Sequence, residues 1–194
     1  MTIRTFTMDT PVGPVVLAWR GDVVLAVEMG AARNRTSWDS ADVPGDLAKR
    51  LRNRLNARFP EAEIVAGSAA AAPVTALARY FDGDVHAIDD LAVDPGGSGL
   101  HARVWQELRR IPAGETRTYG QVAGAAGSDS ARATGGAVGA NPVPIVVPCH
   151  RVVGADGSLT GFGGGLVRKA WLLRHEGARV AGRGAQQLSW LPAE

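Results

Sequence analysis

The sequence N-P-V-P-I-V-V-P-C-H-R, residues 141–151, controls how the second half of the chain folds. Its three prolines fix their own backbone angles and push each preceding residue toward extended geometry, so this segment cannot form an ordinary helix. The segment contains Cys149, the only cysteine of the chain, followed by His150. A stiff, extended run that ends in Cys-His is expected to hold the thiol at a fixed angle.

Cys149 is the first candidate nucleophile. A thiol attacks as its thiolate, and a neighbouring imidazole or helix end lowers its pKa enough to make it reactive near neutral pH. A free cysteine is also among the residue types most often buried, where it acts as a small hydrophobe. The rigid setting between Pro148 and His150 favours the nucleophile, and that role predicts a sulfur open to solvent.

Length and composition limit the class of protein. The chain has 194 residues, 45% of them hydrophobic, which is enough for one large or two small domains. One cysteine excludes an internal disulfide framework and a multi-cysteine zinc site, and the four histidines lack close ligand spacing, so we expect no metal. The sequence shows neither a signal-peptide pattern nor a run of about 18 apolar residues, which predicts a cytoplasmic protein without membrane contact.

The charge is distributed unevenly, although the net charge is only +2. Residues 1–99 carry ten basic and thirteen acidic side chains, whereas residues 100–194 carry eleven and six. A basic half beside an acidic half indicates a polyanionic partner for the basic one.

The first domain is predicted to span residues 1–92 and to contain a small antiparallel sheet covered by two helices. β-branched strand formers and a Gly-Asp hairpin turn indicate the strands, and leucines at helical spacing indicate the helices. The strands are predicted at 5–8, 15–20 and 23–29, and the helices at 46–59 and 73–81. Five aspartates between residues 82 and 94 have a spacing that favours a solvated acidic edge over a cation site.

The second domain is predicted to be mainly helical and to span residues 100–178. The run D-P-G-G-S-G predicts a linker at 93–99. The helices are predicted at 100–110, 119–126, 131–140 and 166–176. The two short helices in the middle, capped by Thr118 and Ser130, have the outline of a helix-turn-helix. Residues 179–194 form a tail without an assigned role, and the predicted fold class is α+β with an active-site loop in the second domain.

The predicted helix at 131–140 consists almost entirely of Ala, Gly, Thr and Val, with Arg132 as its one long side chain. Each glycine in a helix interior costs up to about 1 kcal/mol relative to alanine, so a compensating contact is expected. Close packing against another helix would explain the small residues. A tight fit against an outside surface would explain them as well, and the minor groove of DNA, about 6 Å wide, suits such a helix.

Four segments carry a specific resemblance to a known family. They read I-P-A-G-E-T-R-T-Y-G-Q-V-A (111–123), A-R-A-T-G-G-A-V-G-A-N-P (131–142), P-I-V-V-P-C-H-R-V-V-G (144–154) and G-G-L-V-R-K-A-W-L-L-R-H-E-G (164–177). In this order they closely resemble the O6-alkylguanine-DNA alkyltransferases, also called methylated-DNA-protein-cysteine methyltransferases. The match covers nearly all of residues 100–178, and the first domain resembles the family only loosely.

The resemblance implies DNA repair in which Cys149 takes an alkyl group from O6 of guanine, and also from O4 of alkylthymine, once per molecule. His150 is implied to deprotonate the thiol through a bound water. Glu176 is implied to hold the imidazole, although the sequence gives no separate reason to connect these two residues. Asn141 is implied to tie the helix-turn-helix to the active-site segment, and Tyr119 to rotate the target phosphate and assist the leaving guanine.

The resemblance also implies double-stranded DNA as the partner. The small-residue helix would enter the minor groove while the alkylated nucleotide is flipped out of the stack, and Arg132 would fill the gap in the duplex. The further DNA contacts implied are Thr118, Tyr119, Ala131 and Gly135. The substrate pocket implied is lined by Pro144, Val152, Phe162 and Gly163. Neither a cofactor nor a metal is expected, and the chain is predicted to be a monomer.

Three other functions stay open. A binding module that senses damage without chemistry would resemble the alkyltransferase-like proteins, but those have tryptophan at the position of Cys149. A thiol hydrolase would use Cys149 and His150 and would turn over activated esters without being modified. A transcription regulator is supported only by the helix-turn-helix outline and is weakened by the lack of base-reading side chains.

Overall fold

The computed structural model describes residues 1–30, 44–180 and 182–188, which form two compact units. The first unit contains residues 1–30, 44–95 and 142–146, and the second contains residues 96–141, 147–180 and 182–188. The proline-rich segment 142–146 lies in the first unit, where the Val27 amide donates a hydrogen bond to the Pro142 carbonyl (2.9 Å). The end of the predicted tail, residues 189–194, lies outside the described residues.

The first unit is built on a four-stranded sheet. Its strands are β1 (Thr2–Met8), β2 (Val15–Arg20), β3 (Val23–Met29) and β4 (Glu63–Ala66), in the order β3-β2-β1-β4. The predicted antiparallel strands are confirmed, but the sheet is mixed because β4 pairs with β1 in parallel. The chain reaches β4 through a helical crossover, and such a connection is what parallel pairing requires.

Two helices complete the first unit, α1 (Pro44–Arg58) and α2 (Ala72–Phe81). The predicted leucine stripe of α1 is confirmed, since Leu47, Leu51 and Leu55 are all buried in one core with residues of the sheet. Burying a leucine side chain contributes about 1.5–3 kcal/mol. This stripe therefore holds α1 on the sheet.

The second unit is mainly helical. Its elements are α3 (Gly99–Arg109), β5 (Arg117–Thr118), α4 (Tyr119–Ala125), α5 (Ala131–Gly139), a 3-10 turn (Cys149–Arg151), β6 (Val152–Val153), α6 (Leu166–His175) and α7 (Arg183–Leu188). β5 and β6 pair in parallel, which brings the start of α4 beside the residues that follow the 3-10 turn. The α+β fold class is therefore confirmed. No helix of the described chain is long and apolar enough to cross a membrane.

Both predicted helix caps are present in the second unit. Thr118 and Gln121 form a capping box at the start of α4. The Ser130 hydroxyl accepts a hydrogen bond from the Ala133 amide at the start of α5. Each cap stabilises its helix by about 1 kcal/mol, so two short helices that would be marginal in isolation begin where the sequence predicts.

The segment before the 3-10 turn departs from extended geometry at Ile145, whose φ is +75°. A β-branched residue rarely adopts this left-handed conformation, and the strain costs on the order of 1–3 kcal/mol. The prolines at 144 and 148 restrict themselves and the residues before them, so the change of direction falls on the unrestricted positions between them. The prediction of a fully extended run is therefore wrong at Ile145, which is completely buried.

Candidate active site

Cys149 begins a single 3-10 turn that follows Pro148 directly. All three residues of the turn are buried, and Cys149 is 6% exposed. The prediction of a sulfur open to solvent is therefore wrong. The prolines showed that the segment is rigid, but they did not show that α6 packs against the turn.

The surroundings of the Cys149 sulfur act on its pKa in opposite directions. Burial raises the pKa of the thiol above its ordinary value of 9.0, because a buried anion loses its hydration. A hydrogen bond from the side chain of Asn141 and the positive charge of Lys169 lower this pKa again. The ability of Cys149 to ionise therefore depends on these two neighbours.

Asn141 connects the end of α5 to the thiol. Its Nδ2 donates to the carbonyl of Val147 (2.7 Å), two residues before the cysteine. The same side chain forms a hydrogen bond with the thiol of Cys149. A displacement of α5 would therefore be transmitted to the sulfur.

His150 and Glu176, which the family resemblance implied to act together, form a buried pair. His150 Nε2 and Glu176 Oε1 are 2.9 Å apart, and both side chains are 0% exposed. Glu176 lies at the C-terminal end of α6, so this helix brings the carboxylate to the imidazole. Because a carboxylate accepts, Nε2 carries the hydrogen and Nδ1 of the neutral ring is an acceptor. Nδ1 is buried without a hydrogen-bond partner among the described residues.

Arg151 holds the same carboxylate from another side. Its Nε donates to Glu176 Oε2 (2.9 Å) and its Nη2 to Oε1 (2.8 Å), while Nη1 donates to the Ile111 carbonyl (2.5 Å). A two-pronged contact of this kind fixes the orientation of the carboxylate. Oε1 therefore accepts from both Arg151 and His150, and Arg151 positions the imidazole through Glu176. The role of Arg151 is not visible in the sequence, because an arginine after a histidine has no local signature.

Burial and charge set the protonation of this buried group. Burial lowers the pKa of His150 from its ordinary value of 6.5, against the opposing effect of Glu176. Burial alone would raise the pKa of Glu176, but His150 and Arg151 hold that pKa well below its usual range. The carboxylate is therefore ionised and the imidazole neutral near pH 7. A neutral imidazole is the form that can accept a proton.

Lys169 is a buried cation whose charge acts on the thiol, and its role is not visible in the sequence. Its side chain is 0% exposed, and Nζ donates to the carbonyls of Val152 (2.5 Å) and Thr160 (2.6 Å). Burial lowers the pKa of Lys169 to about 8, and the charge of Cys149 opposes this effect. The ammonium group therefore remains mostly charged at pH 7, where it favours the thiolate.

Replacing Lys169 by methionine is expected to raise the pKa of Cys149, because the thiolate loses a buried positive neighbour. The midpoint of the pH–rate profile for thiol alkylation by iodoacetamide should move upward, and each pKa unit lowers the rate on the acidic side about tenfold. Lys49→Met is the matched control, since it removes the only other lysine, an exposed residue of α1. An unchanged midpoint in the Lys169 variant would show that the thiolate does not depend on this charge.

Tyr119 begins α4 and contacts the loop that leads into α6. Its hydroxyl lies 3.3 Å from the carbonyl oxygen of Thr160 and 3.1 Å from that of Gly161. Burial and the charge of Cys149 raise the pKa of Tyr119, so the hydroxyl stays protonated and donates. Gly161 has a φ of +55°, and a Cβ at this position would lie 2.7 Å from the tyrosine oxygen. A glycine is therefore required at this contact.

The face of α5 that was predicted to bind DNA is exposed and carries little bulk. Ala131 and Arg132 at its start are exposed, as are Gly136 and Gly139. A Cβ on Gly136 or Gly139 would meet no atom of the described chain within 4 Å, whereas one on Gly135 would lie 3.8 Å from the tyrosine ring of α4. Packing among the described residues therefore does not explain the glycines at 136 and 139.

The residues predicted to line the substrate pocket have different surroundings. The ring of Phe162 packs edge-on to His150, with ring centroids 6.5 Å apart. Gly163, the next residue, is exposed, whereas the side chain of Val152 is fully buried in β6. Pro144 lies in the segment that belongs to the first unit.

The described part of the chain contains no group of three or more His, Cys, Asp or Glu side chains that could hold a metal ion. Three of the five aspartates between residues 82 and 94, where the sequence favoured a solvated acidic edge over a cation site, lie beside basic side chains. These pairs are Arg79–Asp84, His86–Asp89 (2.8 Å) and Arg58–Asp94 (2.6 Å).

Comparison with known proteins identifies similar sequences and structures. The family model described as 6-O-methylguanine DNA methyltransferase, DNA binding domain, matches residues 99–178. The methylated-DNA–protein-cysteine methyltransferase of Salmonella typhimurium is 55% identical over 102 residues, which cover 52% of this chain and 60% of that protein. This chain therefore spans only about 60% of the length of that relative.

Mycobacterial proteins are similar over almost the whole chain. The methylated-DNA–protein-cysteine methyltransferase of Mycobacterium tuberculosis is 38% identical over 178 residues, which cover 90% of this chain and 92% of that protein. The crystal structure of Mycobacterium tuberculosis OGT in complex with DNA superposes with a TM-score of 0.66 at 36% identity. That match covers 91% of this chain and 93% of the solved one.

Proposed function

This chain belongs to the methylated-DNA–protein-cysteine methyltransferase family, and from this premise we propose that it repairs DNA by moving a methyl or other alkyl group from O6 of guanine to Cys149. The same reaction is proposed for O4-alkylthymine. We assign the transfer and the DNA contact to residues 100–178, joined by a linker at 93–99 to an N-terminal domain at 1–92.

The observation that carries this proposal is the Nδ1 of His150, the residue next to the thiol, which has no hydrogen-bond partner in the described part of the chain. A neutral imidazole that donates from Nε2 to Glu176 has its remaining lone pair available for the thiol proton, through one bound water. Cys149, His150 and Glu176 thus correspond to the nucleophile, the base and the acidic residue that orients the base in other thiol enzymes. Lys169 and Asn141 then favour the thiolate that results.

The transfer forms one bond and breaks one. The thiolate attacks the alkyl carbon in line with its bond to O6, so that a C–S bond forms while the C–O bond breaks and its electron pair goes to the guanine. The guanine takes up the proton that the thiol lost, and the hydroxyl of Tyr119 assists its departure with a hydrogen bond. The product is a thioether, which has no route back to the thiol here, so each molecule acts once.

The DNA contact is assigned to α4 and α5 as a helix-turn-helix, with α5 in the minor groove and the alkylated base flipped out. The exposed glycines at 136 and 139 support this assignment, because their missing side chains match a groove about 6 Å wide. Arg132, exposed at the start of α5, is assigned to the gap left in the duplex. The solved relative in complex with DNA supports DNA as the partner.

The direct test is the mass of the protein after it meets its substrate. The chain is incubated with an excess of duplex oligonucleotide that contains one O6-methylguanine, and the protein is then digested and its peptides are weighed. We expect one added methyl group, on the peptide that contains Cys149, and an equal amount of repaired DNA. Repaired DNA with an unmodified Cys149, or neither change, would exclude the transfer.

Replacing Arg132 by alanine is expected to slow repair of O6-methylguanine in duplex DNA about tenfold or more, because the few kcal/mol that base flipping costs is no longer offset. Reaction with free O6-benzylguanine, which needs no flipping, should be unchanged. Arg179→Ala is the matched control, since it removes an equal charge from another exposed position of the second unit. Equal losses with duplex and free base would rule out the gap-filling role.

We further propose that the chain acts as a monomer in the cytoplasm. The thiol must stay reduced until it meets the substrate, which suits a reducing compartment.

A further inference from the structure

The last described helix, α7, packs closely against the turn at residues 154–158, which precedes the loop that leads into α6. A Cβ on Gly182 would lie 2.4 Å from the carbonyl oxygen of Asp156, and one on Gly184 would lie 2.2 Å from that of Gly157. Both glycines are therefore required, since the clash would be with backbone that cannot move aside cheaply. Gly182 and α7 lie beyond residues 99–178, which the family model matches, whereas the turn that they contact lies within them.

The side chain of Gln187 in α7 forms hydrogen bonds with both the amide and the carbonyl of Leu159, the residue that follows this turn. The amide of Leu159 donates to Gln187 Oε1 (2.5 Å), and Gln187 Nε2 donates to the carbonyl of Leu159 (3.3 Å). The side-chain amide thus pairs with Leu159 as a neighbouring strand would. The side chain of Leu159 is itself buried in a core with Val153 and Leu173, so Leu159 is fixed by both its side chain and its backbone.

Thr160, one peptide bond further, connects Leu159 to the site. Its carbonyl accepts hydrogen bonds from Lys169 Nζ (2.6 Å) and from the hydroxyl of Tyr119 (3.3 Å). Lys169 acts on the ionisation of Cys149, and Tyr119 is assigned to the leaving guanine. A displacement of the Leu159 backbone would therefore reach two polar groups of the site at once.

We propose that Gln187 is a positioning residue for the alkyl transfer, because its side-chain amide fixes the Leu159 backbone and with it the Thr160 carbonyl that holds Lys169 and Tyr119. This inference rests on the proposed function. Gln187 acts through the loop and touches neither the thiol nor the substrate. A side-chain amide suits this role since it offers a donor and an acceptor together.

The test compares three variants of the full chain. Gln187→Ala removes both hydrogen bonds, and Gln187→Glu keeps the acceptor for the Leu159 amide but loses the donor. Arg183→Ala is the matched control, since it removes the exposed ion pair of α7 with Asp156 (3.9 Å) and leaves the amide in place. Single-turnover methyl transfer from an O6-methylguanine duplex gives the saturating rate and the DNA concentration at half that rate. Hydrogen exchange reports on the Leu159 amide.

In Gln187→Ala we expect the saturating rate to fall roughly tenfold to a hundredfold, as for other misplaced catalytic groups. The DNA concentration at half the saturating rate should change much less than the rate itself, because the exposed face of α5 is not part of this contact and Tyr119 is the one implied DNA contact that it reaches. The Leu159 amide should exchange faster. Gln187→Glu should give an intermediate rate, and Arg183→Ala the rate of the unaltered chain.

A folded Gln187→Ala chain with the original saturating rate would overturn the inference, whatever its thermal stability. An equal loss in Arg183→Ala would also overturn it, since the docking of α7 rather than the amide would then be responsible. If Gln187→Ala does not fold, Gln187→Glu carries the same comparison. If the proposed function itself is wrong, the unaltered chain will also leave the methyl group on the DNA, which distinguishes that outcome from a loss confined to the Gln187 variants.

Discussion

A chain with Cys149 replaced by serine should take no methyl group from O6-methylguanine. The hydroxyl is close to the thiol in size and can share a hydrogen bond with Asn141, so the buried turn should persist. A hydroxyl holds its proton far more tightly than a thiol, and its oxygen is a weak nucleophile in the neutral form. The measurement is the intact mass of the protein after incubation, together with the methylated base that remains in the DNA.

Duplex binding distinguishes this loss from misfolding. Cys149→Ser should bind a methylated duplex as tightly as the unaltered chain, because the assigned DNA contacts lie on α4 and α5 and not on the 3-10 turn. Its free energy of unfolding should change by no more than about 1–2 kcal/mol, as for most single substitutions. A methyl group on Lys169 or any other residue of the variant would show that the thiol is not the acceptor.

Replacing Glu176 by glutamine is expected to lower the free energy of unfolding by about 3–5 kcal/mol, because it leaves the buried guanidinium of Arg151 without its carboxylate. The amide has nearly the same shape as the carboxylate, so the effect isolates the charge. Methyl transfer should also slow, since His150 loses the partner that stabilises its protonated form. Urea unfolding at pH 7 measures the first effect, and single-turnover transfer measures the second.

A second substitution tests the cause of this loss. Removing both members of a buried ion pair costs less than removing one, because no charge is left unpaired. Arg151→Met in the Glu176→Gln background should therefore unfold at a higher urea concentration than Glu176→Gln alone. A double variant that is less stable still would place the loss elsewhere in the fold.

The pH dependence of stability gives a further check on the same substitution. The pKa of Glu176 is held below its ordinary 4.5, so its contribution is present above that pH and is lost as the unfolded chain takes up the proton below it. The pKa of His150 is also lowered, so the unfolded state binds that proton first as well, and stability declines from about pH 6.5 downward. Glu176→Gln should show a shallower decline below pH 4.5.

Features governed by neighbouring residues could be predicted from the sequence. The bounds of β2 and β3 follow from β-branched runs around a glycine turn, since this signal lies within a few residues. The starts of α4 and α5 follow from their capping side chains for the same reason. β4 escaped prediction because E-I-V-A is four residues long and depends on β1 for its hydrogen bonds.

Local sequence was enough to single out Cys149 and His150, because prolines and motif spacing act along the chain. The family resemblance added Glu176, but the residues alone did not link it to His150, and Lys169 became visible only in the folded chain, since the docking of α6 and its C-cap depends on contacts far apart in sequence. Packing also buried the thiol that the sequence placed in solvent. Burial and charge act through space, so the ionisation of this site is a property of the folded protein.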